Sequence, residues 1–492
     1  MAEKKDYYAL LGVRRSATPE EIRQAYFAAA RHLHPDKNLA PGETELFLGV
    51  QEAYEILSSE RKRNAYDATL PPEKAGALIL DQKILFSRQS LLHIDEPQML
   101  YVTLEFSAPK EVVEQPAPPL NLCLVLDRST SMQGSNMEIV KATATRIMQK
   151  LKSQDVFSVV AFSDRAETII PATHITELSK QEARIQLLSP SGGTEIYSGL
   201  EKGYNEITRN INRSHVNHII LITDGHTYGD EENCFALAQQ AAEKGVGITG
   251  LGIGAEWNDN FLDKLASITG STSMYVPRAQ DLQQTLLDKF NQLGNAYAEE
   301  TCLEFEPIPG IDVNYAFRMQ PEAGLLSFTS PTVLGPIPWN NSLKMLMEFI
   351  IQPGAVQQNA VVLFDGKISL VLAGHSIPEE LIPVHLARPV REGTSMEAPP
   401  VEIVDALSRL RLYRLQEQAR LEVNAGEYDQ AAEHLVRLAT HLLASGERAL
   451  AKTALLEAEN IQQKKSFSKT GGKEIKYGTR ALLRSGRIAE DK

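Results

Sequence analysis

Four apolar runs punctuate the middle of the chain: LNLCLVL (120–126), VFSVVAF (156–162), HIILIT (218–223) and VGITGLGI (246–253). Short, β-rich and hydrophobic at consecutive positions, they predict strands buried on both faces. Helical stretches such as MEIVKATATRIMQKL (137–151) and EENCFALAQQAAEKG (231–245) separate them. The alternation predicts an α/β doubly wound parallel sheet over 117–292, a fold that takes ligands at the carboxyl ends of its strands. The flanking segments have a different period. QMLYVTLEF (98–106) alternates Leu100, Val102, Leu104 and Phe106 with more polar positions, and SLKMLMEFIIQP (342–353) alternates similarly. AVVLFDGKISLVL (360–372) carries the Asp-Gly pair favoured by two-residue hairpins. Together they predict an antiparallel β region, 79–116 and 293–390, formed around the inserted α/β domain. The pattern also allows two separate small β units.

Both ends read as helical. Residues 18–34 open with Thr18 as N-cap, Pro19 in the first turn and Glu21 three residues after the cap, and Pro35 displaces His34 from the helix. A second helix over about 44–58 carries Phe47, Val50, Tyr54 and Leu57 at three- and four-residue spacing. The two make an antiparallel pair with HPDKNLAPG at its tip, and residues 71–78, within LPPEKAGAL, read as a linker. From 400 to 463 the chain is helical, broken at NAGEY (424–428) and ASGER (444–448). Leu435, Leu438, Ala439 and Leu442 form an apolar stripe, which predicts a bundle packed against the β region. GEYDQAAEHL is similar to part of a tetratricopeptide helix pair, but no repeat period accompanies it. The segment 464–492, opening KKSFSKTGGKEIKYGTR, is basic and glycine-bearing and predicts a solvated tail.

A 492-residue chain with 43% hydrophobic and 23% charged residues is soluble globular material with room for about three or four domains. Its net charge of −13 and pI near 5.5 repel phosphate backbones and anionic bilayers, so neither nucleic acid nor membrane is expected as a partner. Cys123, Cys234 and Cys302 lie far apart, which fits neither a paired-cysteine metal ribbon nor a disulfide framework. The opening MAEKKDYYALLGV has no apolar signal core, and no apolar run is long enough to span a bilayer. A cytoplasmic protein is expected.

The chemistry of the HPD tip suits docking. Asp36 offers a carboxylate that accepts a bidentate arginine, Pro35 stiffens the loop, and His34 adds a donor and an acceptor near neutral pH. DYYALLGV (6–13), HPDKN (34–38), QEAYEILS (51–58) and RKRNAYD (61–67) occur in order. In these motifs residues 4–70 closely resemble a complete J domain, the DnaJ-type module. The resemblance implies an all-α domain whose HPD loop docks on a DnaK-type chaperone and stimulates its ATP hydrolysis. Arg23, Arg31 and Lys37 are the basic residues expected beside that loop. Phe27, Ala28 and Ala29 interrupt the usual basic face, and the zinc-binding repeats of full DnaJ proteins are absent from the sequence.

A second constellation follows the first central run. Asp127, Ser129 and Ser131 stand at i, i+2 and i+4 in DRSTS, Asp224 ends the HIILIT run, and SGGT (191–194) places Thr194 in a loop between helices. Two carboxylates and three hydroxyls suit a hard octahedral cation, Mg2+ or Mn2+, more than zinc. Neutral hydroxyls leave part of the cation's charge unanswered and a position open for an acidic residue of a partner. DRSTS, SGGT and TDG in this order resemble a von Willebrand factor A domain with its metal-ion-dependent adhesion site, a Rossmann-like fold. The resemblance implies Ser129, Ser131 and Thr194 as direct or switchable ligands and Asp127 and Asp224 as acids acting through water. Two other motifs dissolve. GLGIGA (250–255) matches a dinucleotide fingerprint but follows a late strand, so a tight turn is expected. DRSTS has Ser129 where an aspartate-based phosphatase has its second acid.

These resemblances imply a non-enzymatic co-chaperone. The A domain captures a protein client through a divalent metal completed by the client's acidic residue, and the J domain brings a DnaK-type chaperone to it. The alternative is a metal-dependent scaffold or assembly factor working with an AAA+ ATPase, the J domain being accessory.

Overall fold

The structure is a computed structural model that describes the chain apart from residues 1–6, 8–10, 12–21, 24, 28, 31–42, 60–61, 64–65, 67–79, 110–116, 213, 227–228, 327–328, 357–359, 373–379, 393–397 and 485–492. The chain divides into two units, residues 1–79 with 375–378 and the remainder. In the first, helix α1 (Glu43–Leu57) turns Val50, Ala53 and Leu57 toward Leu11 and Ile22, all buried. Tyr26 stacks on Tyr54 with ring centroids 4.1 Å apart, and the Tyr7 hydroxyl donates to Glu52 Oε1 at 2.9 Å. The HPD tip and the linker lie outside the described residues.

The second unit opens with β1 (Asp81–Phe86), β2 (Leu91–Leu92) and β3 (Gln98–Ser107). The α/β domain follows as β4 (Leu120–Asp127), α2 (Ser135–Met148), β5 (Val156–Phe162), β6 (Ala166–Thr173), α3 (Leu178–Gln186), α4 (Ile196–Arg209), β7 (Val216–Thr223), α5 (Glu231–Glu243), β8 (Val246–Ile253), α6 (Asp259–Ile268), β9 (Met274–Val276) and α7 (Ala279–Leu293). Its strands lie in the order β6-β5-β4-β7-β8-β9. The sheet is doubly wound, but β6 runs antiparallel to β5, a correction to the all-parallel expectation. The connection between them, residues 163–165, is too short for the crossover that a parallel neighbour requires. Leu122, Leu124 and Leu126 face the core beneath α2 and α7, while Cys123 and Val125 face the core beneath α4, α5 and α6. Strand β4 feeds both cores, which is why its sequence is apolar without alternation.

The chain returns through β10 (Ala296–Phe305), β11 (Ile311–Gln320), β12 (Gly324–Leu325), β13 (Thr332–Val333), β14 (Ile337–Pro338), β15 (Ser342–Ile351), β16 (Ala360–Leu372) and β17 (Glu380–Arg391). Two sheets result, β1-β3-β15-β11-β12 and β13-β10-β16-β17-β2, with β14 beside β10. β3 pairs antiparallel with β15 from Ser107 opposite Ser342 to Gln98 opposite Ile351, so segments on both sides of the α/β domain share one sheet. The hairpin expected at Asp365-Gly366 does not form. β16 runs straight through it, with Gly366 opposite both Phe305 and Val384.

Buried polar groups fix the insertion in place. Arg318 of β11 donates from Nε to Glu322 O (2.8 Å), from Nη2 to Ser271 O (3.1 Å), and from Nη1 to the carbonyls of Gly270 and Leu334. The Glu322 carboxylate accepts from Lys289 Nζ of α7 at 2.8 Å and from Thr272 Oγ1 at 2.7 Å. Burial alone would raise its pKa, but Lys289, with Arg484 and Arg318 adding to the positive field, holds it at about 2.

Helices α8 (Val401–Ala425), α9 (Tyr428–Ala444), α10 (Arg448–Lys464) and α11 (Gly471–Arg484) complete the unit. Gly426, at φ +83°, ends α8 in the left-handed conformation that glycine adopts without steric cost. The stripe of Leu435, Leu438, Ala439 and Leu442 is buried among the helices, and Leu410, Tyr413 and Leu483 pack on Phe317 and Leu346 of the β unit. The expected solvated tail is wrong for residues 471–484, which form α11 with Lys473, Lys476 and Arg480 buried. The reason lies on α6: Lys476 reaches Asp259 and Asp263 at 2.7 Å each, and Arg480 grips both oxygens of Asp263 at 2.9 and 2.8 Å. Lys473 donates to Trp257 O at 2.6 Å and stands over the indole, 4.8 Å from its centroid.

Candidate functional site

Strand order reverses around β4, whose neighbours are β5 and β7, and loops from β4 and β7 leave in opposite directions at their carboxyl ends. Asp127 is the last residue of β4 and Asp224 directly follows β7, so both carboxylates reach this crevice. Asp127 is fully buried. Its Oδ1 accepts the Ser129 backbone N–H at 2.8 Å and its Oδ2 the Thr223 hydroxyl at 2.6 Å. These bonds fold the β4–α2 loop back over the strand end and set the two serines above it. The Ser129 and Ser131 hydroxyls lie 2.9 Å apart, and Ser131 donates to Asp224 Oδ1 at 2.6 Å. Since Ser131 spends its proton on Asp224, Ser129 is the donor of the shared bond. Asn136 Nδ2 donates to the other Asp224 oxygen at 3.3 Å.

Thr194 comes from the loop between α3 and α4. Ser191 N–H bonds to Arg128 O at 2.7 Å and Thr130 N–H to Gly192 O at 3.1 Å, which draws this loop against DRSTS. Asp164 accepts the Gly193 N–H at 2.8 Å. A β-carbon placed on Gly225 would stand 3.1 Å from Thr194 Oγ1, so the threonine abuts the backbone beside Asp224. All five residues singled out in the sequence thus gather at one end of the sheet. Burial pushes the Asp127 carboxyl up to about 6 despite the bonds from Thr223 and Ser129, and burial likewise raises Asp224. Two carboxylates held in this way form an electronegative pit whose ionised state is under-compensated. Among the described residues no group of three His, Cys, Asp or Glu converges on a common point. The sequence reading passed over Thr223, Asn136 and Asp164, which orient the acids and the third loop. Thr223 was signalled by its place in TDG, whereas nothing local marked the other two.

Of the expected docking residues on the first unit, Arg23 is exposed on its helix, while Arg31, His34, Pro35, Asp36 and Lys37 lie outside the described residues. Phe27 is 60% exposed on the same helix. The described helices include none long and apolar enough to cross a membrane.

Three family descriptions match the chain: DnaJ domain over 6–67, von Willebrand factor type A domain over 121–289, and the Sll0103-like C-terminal alpha-helical domain over 401–485. The uncharacterized protein sll0103 of Synechocystis is 32% identical over 39% of this chain and 46% of its own length. Chaperone protein DnaJ 2 of Thermus thermophilus is 55% identical over 14% of this chain and 24% of its own. The chain thus spans less than half the length of either curated relative. A von Willebrand factor type A structure from Catenulispora acidiphila matches with TM-score 0.65 at 16% identity, covering 82% of this chain and 98% of that one. The ArnB paralog VWA2 from Sulfolobus acidocaldarius matches with TM-score 0.52 at 14% identity, covering 83% and 100%. Both likenesses are of fold, and both reach beyond the α/β domain.

Proposed function

We propose that this chain, which carries a J domain and a von Willebrand factor A domain in one polypeptide, is a cytoplasmic co-chaperone that captures a client through a divalent cation and delivers it to a DnaK-type chaperone. The observation that carries the reading is the joined set Ser129, Ser131 and Asp224, backed by buried Asp127, at the switch point of the sheet. Three hydroxyls and two carboxylates with no sulfur or imidazole fit a hard cation such as Mg2+. Ser129, Ser131 and Thr194 would hold it, with Asp127 and Asp224 orienting the ligand shell. When bound, the cation supplies positive charge toward which an acidic side chain of the client is drawn. The protein's own part is positional: Asp127 anchors the β4 loop, Asn136 turns Asp224, and Arg128 and Gly192 tie the third loop to the first.

At the other end, His34, Pro35 and Asp36 would engage the chaperone, with Arg23, Arg31 and Lys37 adding charge. Joining the two modules raises the local concentration of chaperone at the captured client. The test is a pull-down from cytosolic lysate in Mg2+ with wild type, Asp127→Ala and an EDTA-treated sample. A DnaK-type chaperone retained in all three, with a further protein retained by wild type in Mg2+ alone, is the expected result. A bound set indifferent to metal sinks the capture reading. Independently, His34→Gln should abolish stimulation of chaperone ATPase activity. The exposure of Phe27 where J domains carry basic residues favours a second reading, a scaffold working with an AAA+ ATPase. That reading predicts stable co-purification with an ATPase other than DnaK and no effect of His34→Gln.

A further inference from the structure

Where the A domain, the β unit and the helical bundle meet, a cleft of about 380 Å³ opens to solvent, within the size range of small-ligand sites. Asp263, Leu325, Tyr413, Glu417, Lys476 and Arg480 line it. Three cations also line it: Lys264, whose ammonium stands over the Phe235 ring 4.0 Å from its centroid, and Lys476 and Arg480, which are engaged by aspartates. Lys476 Nζ has three donors and three acceptors, Asp259 and Asp263 at 2.7 Å each and Asn260 Oδ1 at 3.3 Å. Arg480 turns both Nη atoms to Asp263, and Nη2 also stands 3.4 Å from the Tyr413 hydroxyl.

Glu417 is different. Tyr315 donates to it at 3.3 Å, but among the described residues it forms no ion pair. Burial raises its pKa, and the neighbouring tyrosines with the more distant charges of Arg480 and Lys476 answer only in part. It is the cleft's one carboxylate without a cation of its own. Leu325, 46% exposed on the short edge strand β12, also lines the cleft and supplies an apolar surface.

We propose that this cleft binds a primary alkylammonium group, with its charge on Glu417 and its aliphatic stem along Leu325. The same chemistry is offered by a free diamine and by the lysine side chain of a polypeptide. The proposal is independent of the metal site. Titration calorimetry of the full chain with cadaverine and with N-acetyl-lysine methylamide separates the two sources. Saturable binding of both assigns the site to a lysine side chain, and binding of cadaverine alone assigns it to a free amine. In either case Glu417→Gln should weaken binding by about tenfold or more. That variant keeps the side chain's size and the bond from Tyr315, so its melting temperature should equal or exceed that of the wild type. Leu325→Ser should weaken binding by a smaller factor. The proposal is overturned if the wild type binds neither amine, if Glu417→Gln binds as well as wild type, or if the dicarboxylate glutarate binds in preference to both.

Discussion

Lys289→Met removes a single ammonium from the joint between the A domain and the β unit while keeping the length and apolar stem of the side chain. Glu322 is left with the Thr272 hydroxyl and the more diffuse field of Arg318 and Arg484. Side-chain exposures of 3% for Lys289 and 6% for Glu322 deny water a compensating role. The Glu322 carboxyl is held at about 2 against a normal 4.5, and that difference corresponds to about 3 kcal/mol. Breaking one side of a buried pair costs about 3–5 kcal/mol, in agreement. Because the folded-state pKa is depressed, the stabilisation is complete above the unfolded value of 4.5 and drains away as pH falls toward 2. Urea unfolding of the full chain can be followed by intrinsic fluorescence, since Trp257 lies in the A domain and Trp339 in the β unit against Tyr297. The variant should lose about 3 kcal/mol at neutral pH. The gap between the two proteins should close in acid, over the window in which the wild type protonates Glu322. A loss below about 1 kcal/mol, or a gap that persists unchanged in acid, would refute the assignment of this pair as the joint.

Other outcomes follow from the same geometry. Asp263→Asn strips the common acceptor from buried Lys476 and Arg480 and should cost about 3–5 kcal/mol, with faster proteolysis between α10 and α11 as the local readout. Gly252→Ala drives a β-carbon into the Trp257 ring and should cost about 1–3 kcal/mol, visible as a shift in tryptophan emission on native protein. Asp127→Ala should remove any rise in melting temperature with added Mg2+, which in the wild type should grow with the logarithm of concentration. An equal Mg2+ response in both proteins would place the cation elsewhere.

The candidate metal site was legible because its signal is local and repeated. Asp127, Ser129 and Ser131 sit within five residues, and each remaining member closes a recognisable strand or loop. The partnership of β3 with β15 was also readable, since both strands alternate and neither can bury its apolar face alone. Gly366 misled because an Asp-Gly pair has two physical uses. Here a β-carbon would approach the Glu304 carbonyl oxygen to 2.5 Å, so the glycine serves close strand approach, and pairing on both edges overrides the turn preference. Helix α11 misled for another reason. Ile475, Thr479 and Leu483 do recur at helical spacing, but two leading glycines and five basic residues from Lys464 to Lys476 read as solvent-exposed. Their partners, Asp259 and Asp263, lie more than two hundred residues earlier, and no window of sequence joins them.

That separation also orders events in time during synthesis. The A domain has its two cores complete once α7 has emerged, and domains tend to fold as units as the chain leaves the ribosome. β3 must wait through all of it, because its neighbour β15 is not yet made, and Asp263 of α6 waits longer still for α11. A nascent chain halted before residue 471 would present a folded A domain in which Asp263 lacks both of its cations, while Asp259 has only Arg420. Completion of the fold is therefore coupled to synthesis of α11, and a stop before it leaves its mark on the surface.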